Sequence, residues 1–127
     1  MQIFTGYFNK IKIYINNNLT PVNIARSIPK DIFIQQNCIN FNSLAPSWDI
    51  LNKYKQGKIS EEEYKNLYLN YIQKNETKII QEFENILNNF PNIILLCWEN
   101  PNKFCHRHLV SEYFNKKYNT QIKEFII

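Results

Sequence analysis

At 127 residues, with 44% hydrophobic and 20% charged residues, the chain has the size and balance of one folded domain spanning 1–127. Nine Phe, eight Tyr and two Trp exclude a disordered polymer, and only two Gly exclude a glycine-rich phosphate loop. The net charge of +4 suits an anionic ligand but is too small to argue by itself for a DNA-binding face.

The opening Met1–Gly6 has no basic stretch, long apolar run or small-residue cleavage site, so no secretion leader is expected. Gln2–Tyr7 reads as a first strand. Lys10–Ile15 alternates and is flanked by Asn, which suits a short connector or an edge strand. Pro21–Arg26 reads as a second strand, and Pro29 turns the chain by biasing Ile28 away from helix. Ser47 caps a helix over Trp48–Gln56 that Gly57 stops. Ser60 and Glu63 form a capping box for a helix reaching about Ile72, with Tyr64, Leu67, Tyr68 and Tyr71 on one face. These tyrosines read as core contacts, not as a base-stacking platform. Thr77–Asn89 carries a second helical stripe, and the two helices can form one rod broken near Asn75.

Asn92–Cys97 is almost continuously apolar, as strands covered on both faces are. The run ends at Trp98, far short of the ~20 residues a membrane span needs. Pro101 with Asn100 and Asn102 marks a loop. Phe104–Lys117 reads as a helix and Gln121–Ile127 as a last strand. The strand–helix–strand order predicts an α/β fold: a three-layer, Rossmann-like sandwich with a mainly parallel sheet of about four to five strands.

Ligands in such sheets bind beyond the carboxyl ends of the strands. Three polar segments converge there: Thr5-Gly6-Tyr7, Arg26-Ser27, and Cys97-Trp98-Glu99 leading into Cys105-His106-Arg107-His108. Arg26 and Arg107 are the only arginines, in a chain that otherwise uses Lys for positive charge. The guanidinium fork grips phosphate or carboxylate bidentately. Its bland alternative at Arg26 is a surface ion pair. Cys105, near a helix start and beside His106, Arg107 and His108, has the setting of a low-pKa thiolate. Glu99 can orient a histidine or act as a general base. Cys97 also suits simple core packing, and Cys38 reads as incidental.

Other chemistries are tested by spacing. A Cys-x5-Arg phosphatase loop is absent, because Lys103 and Ser111 stand six beyond Cys97 and Cys105. Cys97, Cys105, His106 and His108 have the donor types of a zinc site. Their C-x7-C spacing is not that of a zinc knuckle, however, and the two histidines diverge on a helix, so no metal ligand is assigned. A redox pair of Cys97 and Cys105 lacks the C-x-x-C pattern but becomes feasible if the loop closes. An odd cysteine count without framework spacing favours a reducing, cytoplasmic location.

The run Leu95-Leu96-Cys97-Trp98-Glu99 followed by Phe104-Cys105-His106-Arg107-His108-Leu109-Val110 resembles the LLCxE…CHR signature of the DUF488 family. Thr5-Gly6-Tyr7, Ala25-Arg26-Ser27-Ile28-Pro29, Leu44-Ala45-Pro46-Ser47, Tyr54-Lys55 and Gly57 are similar to further segments of that family. Ile24 stands where the family usually has Asp, two before the Arg, so no role of that acid carries over. The resemblance implies a compact α/β fold with the matched residues around one pocket.

The leading expectation is a small cytoplasmic enzyme, a Cys-dependent transferase or hydrolase. Its substrate would be anionic, a nucleotide or a component of nucleic acid, and no membrane would be involved. Cys105 would be the nucleophile, His106 or His108 the proton carrier, and Glu99 the orienting acid. Thr5, Gly6, Tyr7, Arg26, Ser27, Cys97 and Arg107 would bind substrate. The alternatives are a nucleotide- or protein-binding module without turnover, and a Cys/His metal-binding protein. No cofactor or oligomeric state is legible.

Overall fold

The apolar run of residues 92–97 forms the central strand of the molecule. Its side chains alternate between two cores: Ile93 and Leu95 enter one, and Ile94 and Leu96 enter the other. A strand dry on both faces needs helices on both sides, which sets the three-layer architecture. The computed structural model describes residues 1–99 and 103–127. In chain order the elements are β1 (Gln2–Tyr7), α1 (Ile11–Asn16), β2 (Thr20–Asn23), α2 (Ile32–Asn37), β3 (Ile39–Asn40), α3 (Trp48–Lys55), α4 (Glu61–Lys74), α5 (Glu76–Asn89), β4 (Asn92–Cys97), α6 (His106–Tyr118) and β5 (Lys123–Glu124). The five strands pair in the order β3-β2-β4-β1-β5, all parallel. Helices α3, α4, α5 and α6 cover one face through Ile50, Tyr68, Phe83 and Val110, while α1 and α2 cover the other through Tyr14 and Ile34. Among the described residues no helix is long and apolar enough to cross a membrane.

The capped helices follow the sequence reading closely. The Ser47 side chain accepts from the Ile50 amide, Ser60 and Glu63 close a reciprocal capping box, and Gly57 adopts φ +71° after α3. The rod of α4 and α5 breaks at Asn75. On α4, Tyr64, Tyr68 and Ile72 are buried, while Leu67 faces outward.

Four expectations change. Residues 11–16 form helix α1 instead of a connector or edge strand, because Ile11 and Tyr14, three apart, pack together into the second core. β2 stops at Asn23, short of Arg26, because the Asn23 Oδ1 accepts the Ala25 amide at 2.8 Å and turns the chain. The last strand is only Lys123–Glu124: Asn115 grips both backbone groups of Ile122 at 2.7 Å, and Ile126 and Ile127 are exposed. Finally, α2 and β3 lie where the sequence pattern predicts no element. Asp31 caps α2 by accepting the Ile34 amide at 3.0 Å. The expected loop at Asn100, Pro101 and Asn102 lies outside the described residues.

Candidate functional site

A cavity of about 420 Å3 opens beyond the carboxyl ends of β2 and β4, within the size range of small-ligand sites. The turn made by Asn23 delivers Ala25, Arg26 and Ser27 to its wall. Arg26 Nε donates to the Pro46 carbonyl at 3.0 Å, and Nη2 donates to the Ala45 carbonyl at 2.9 Å. Among the described residues Nη1 has no partner, and no carboxylate pairs with Arg26. The 45–46 carbonyls therefore aim the guanidinium without neutralising it, and among the described residues its positive charge on the cavity wall meets no carboxylate.

The floor holds Cys97, Cys105 and His106. Cys97 ends β4, and Cys105 is the residue before the first turn of α6, so the two sulfurs meet and are joined as a disulfide. His106 is buried. Its Nε2 lies 2.7 Å from the Ile24 carbonyl, and Nδ1 lies 3.8 Å from the Cys105 sulfur. A carbonyl can only accept, so Nε2 carries the proton and Nδ1 keeps its lone pair toward the sulfur. Burial chiefly, then the charges of Arg107 and Arg26 among others, lowers the His106 pKa to about 4 against the pull of the Ile24 carbonyl. The imidazole is thus neutral near pH 7. The Glu99 side chain sits on the rim and is exposed.

Arg107, one residue further along α6, faces away from this wall. It is fully buried. Nε and Nη2 donate to the two Glu124 oxygens, each at 3.0 Å, while Nη1 donates to the Cys97 sulfur at 3.0 Å and to the Glu99 carbonyl. Thr5 donates its hydroxyl to the same Glu124 at 2.6 Å, and the Tyr7 ring lies 5.9 Å from the Arg107 guanidinium. In the β1–β4 register Tyr7 is the partner of Cys97. Gly6 lets Tyr14 approach, since a Cβ there would meet the Tyr14 ring at 2.6 Å. The structure therefore brings Arg26, Ser27, Cys97, Glu99, Cys105 and His106 to one cavity. It puts Thr5, Gly6, Tyr7 and Arg107 behind the floor as its support: none of the four lines the cavity, and all three nitrogens of the Arg107 guanidinium already donate to Glu124, Cys97 or Glu99. His108 also stands apart; it is half-buried, and its Nε2 has no partner among the described residues.

Sequence reasoning missed the aromatic wall. Trp48, Leu51 and Tyr54 from α3, Tyr64 from α4, and Trp98 and Phe104 line the cavity. Tyr54, Tyr64 and Phe104 pack with ring centroids 4.9–5.4 Å apart. Trp98 donates its indole N–H to the Ser27 carbonyl at 3.0 Å, and both Trp48 and Trp98 are about half exposed. The signal was available: Trp48, Leu51 and Lys55, at i, i+3 and i+7, share one face of a short helix, and all three line the cavity. Tyr68, in contrast, is core; its hydroxyl donates to the Leu44 carbonyl, and its ring meets His106 edge-on at 5.6 Å.

A family model described as "DUF488-N3a: Active DUF488-N3 subclade" matches residues 16–118, which include every cavity residue named above. No curated protein and no solved structure matches the chain.

Proposed function

This chain belongs to the DUF488 family, and from the make-up of its cavity we propose that it is an enzyme acting on an anionic substrate with a planar ring, of the nucleotide class, free or within a nucleic acid. The observation that carries this reading is the convergence of an unneutralised guanidinium, a sulfur and a neutral imidazole in one aromatic-walled cavity. Arg26, with Ser27 beside it, takes the anionic group. Trp48, Trp98 and Tyr54 offer faces and edges to a planar ring.

In the reduced protein Cys105 is the nucleophile. The start of α6 and the nearby arginines favour its thiolate. Nδ1 of His106 accepts the thiol proton, and the thiolate so formed supplies the negative charge that an imidazolium at this site otherwise lacks. Glu99 on the rim orients a substrate group or takes a proton from it. Arg107, held by Glu124, which Thr5 also bonds, and lying against Tyr7, is a positioning residue that fixes the Cys97 end of the floor. A thiolate enzyme of this kind requires a reducing compartment, which favours the cytoplasm.

The test uses full-length reduced protein. Nucleoside monophosphates should quench the emission of Trp48 and Trp98, the only two tryptophans. Arg26→Ala should weaken that binding by about tenfold or more, the loss expected for a hydrogen bond to a charged group. Cys105 should alkylate at neutral pH faster than a free peptide thiol and far faster than Cys38, whose thiol burial pushes up to about 12. Nucleotide binding without accelerated alkylation would replace the enzyme with a binding module. Absence of both would end the reading.

A further inference from the structure

Cys97, Cys105 and His106 do more than lie near one another: their three donor atoms fall within 4.8 Å, and all three side chains line the cavity. A tetrahedral ion with bonds of about 2.0–2.3 Å to nitrogen and sulfur needs donors clustered on this scale. We propose that, in the reduced protein, Cys97, Cys105 and His106 bind a thiophilic divalent cation, zinc above all, with the fourth coordination position open to the cavity. Three features beyond proximity fit the ion.

First, the His106 Nε2–H is given to the Ile24 carbonyl at 2.7 Å, which leaves Nδ1 as the ligating atom. Metal-bound histidines are oriented by a second bond of this kind. Second, Arg107 donates to the Cys97 sulfur at 3.0 Å, a hydrogen bond that stabilises a thiolate ligand. Third, all three side chains are buried yet line the cavity, so a fourth ligand can reach the ion from that side. Three protein ligands with one open position distinguish a reactive zinc site from a structural one. His108 is outside the cluster, so the set is Cys2His and not the four-residue group that composition suggests. C-x7-C-H is not a recognisable knuckle spacing; the parallel register of β4 and the start of α6 create the site, not a local motif.

Loading follows a balanced sequence. Two small thiols of the glutathione class reduce the Cys97–Cys105 bond, are themselves joined as a disulfide, and leave two protein thiols. The cation then displaces both thiol protons to solvent and takes the Nδ1 lone pair. The loaded state caps the sulfur that the proposed function uses as nucleophile, so metal occupancy would silence that chemistry. This last clause rests on the proposed function, while ion binding does not.

The experiment uses full-length protein reduced with a phosphine, freed of metal, and titrated with Co(II) and then Zn(II). The expected result is one equivalent of Co(II) with sulfur-to-metal charge-transfer absorption, displaced by Zn(II). Zn(II) should also protect Cys97 and Cys105, but not Cys38, from alkylation. Cys97→Ser, Cys105→Ser and His106→Gln should each weaken binding by at least about 10–100-fold, and Cys38→Ser should leave it unchanged. The protection pattern is read on unaltered protein, so it does not depend on the variants folding. Absence of the charge-transfer band, or a band that survives Cys97→Ser and Cys105→Ser together, would overturn the site. If Co(II) binds as described while metal-free Cys105 alkylates slowly, the metal site stands and the nucleophile falls; fast alkylation with no metal binding gives the reverse.

Discussion

Arg107 donates two N–H···O bonds of 3.0 Å to Glu124, with the guanidinium fully buried and the carboxylate about one-fifth exposed. Removing one charge of such a pair strands the other in a poorly solvating interior, whereas replacing both with apolar groups removes the penalty. Glu124→Gln should therefore lower the unfolding free energy in urea by about 3 kcal/mol. Arg107→Met with Glu124→Leu should recover most of that loss, and a double variant as unstable as the single one would contradict the account. The same pair shows what residue types reveal and what they hide. Cys105, His106 and Arg26 were legible as neighbours around one cavity because a helix-start thiol, an imidazole and a rare arginine stand out in the sequence. Thr5, Gly6 and Tyr7 were placed at the right strand end and Arg107 at the right helix start, but none of the four lines the cavity. The position of a residue along a strand is readable from sequence; the direction its side chain takes depends on a partner such as Glu124, which is 119 residues from Thr5.

Helix α4 begins with the reciprocal bonds of Ser60 and Glu63, each 3.1 Å long, which satisfy two amides that the first turn leaves open. Ser60→Ala should cost about 1 kcal/mol in chemical unfolding. It should also raise amide exchange in the first turn, which begins the helix that carries Tyr64 to the cavity and Tyr68 to His106. Unchanged exchange there would mean that packing alone holds the turn. Side-chain caps at α3 and α4, and apolar side chains at helical spacing in α5 and α6, are why these four helices were readable from the sequence. The six-residue helices α1 and α2 were not readable, because helices so short have little intrinsic stability and persist only through tertiary contacts. Alternation over residues 10–15 pointed to a strand, but Tyr14 against Gly6 and the second core decided for a helix. The two-residue strand β3 carries no pattern of its own, and β5 is legible but shorter than its sequence pattern suggests; both pair along free edges, β3 on β2 and β5 on β1.

Buried histidine couples the whole fold to pH. His106 lies under Tyr68, beside Cys105 and bonded to the Ile24 carbonyl, with Arg107, Arg26 and His108 as the charged or titratable groups around it. Its folded pKa is lowered to about 4 from an ordinary 6.5, first by burial. His108 is lowered in the same direction, also chiefly by burial. Between those two pH values the unfolded chain binds protons that the folded chain refuses, so unfolding becomes easier as pH falls. The stabilisation is complete above about pH 6.5, declines through the interval, and is exhausted for His106 near pH 4. Each tenfold difference in proton affinity between the folded and unfolded chain is worth ~1.4 kcal/mol, so the loss from His106 alone is about 3 kcal/mol. Glu76, whose pKa is lowered mainly by its Lys117 hydrogen bond, acts below its ordinary 4.5, so the interval between 6.5 and 4.5 reports on the histidines. Urea unfolding at pH 7, 5.5 and 4.5 should show stability falling at each step. His106→Gln, which removes the titrating group while keeping a side-chain N–H, should flatten most of that fall. A wild-type curve that is level across the interval would show that His106 protonates in place without disturbing the floor, and the neutral imidazole assigned to it would be lost.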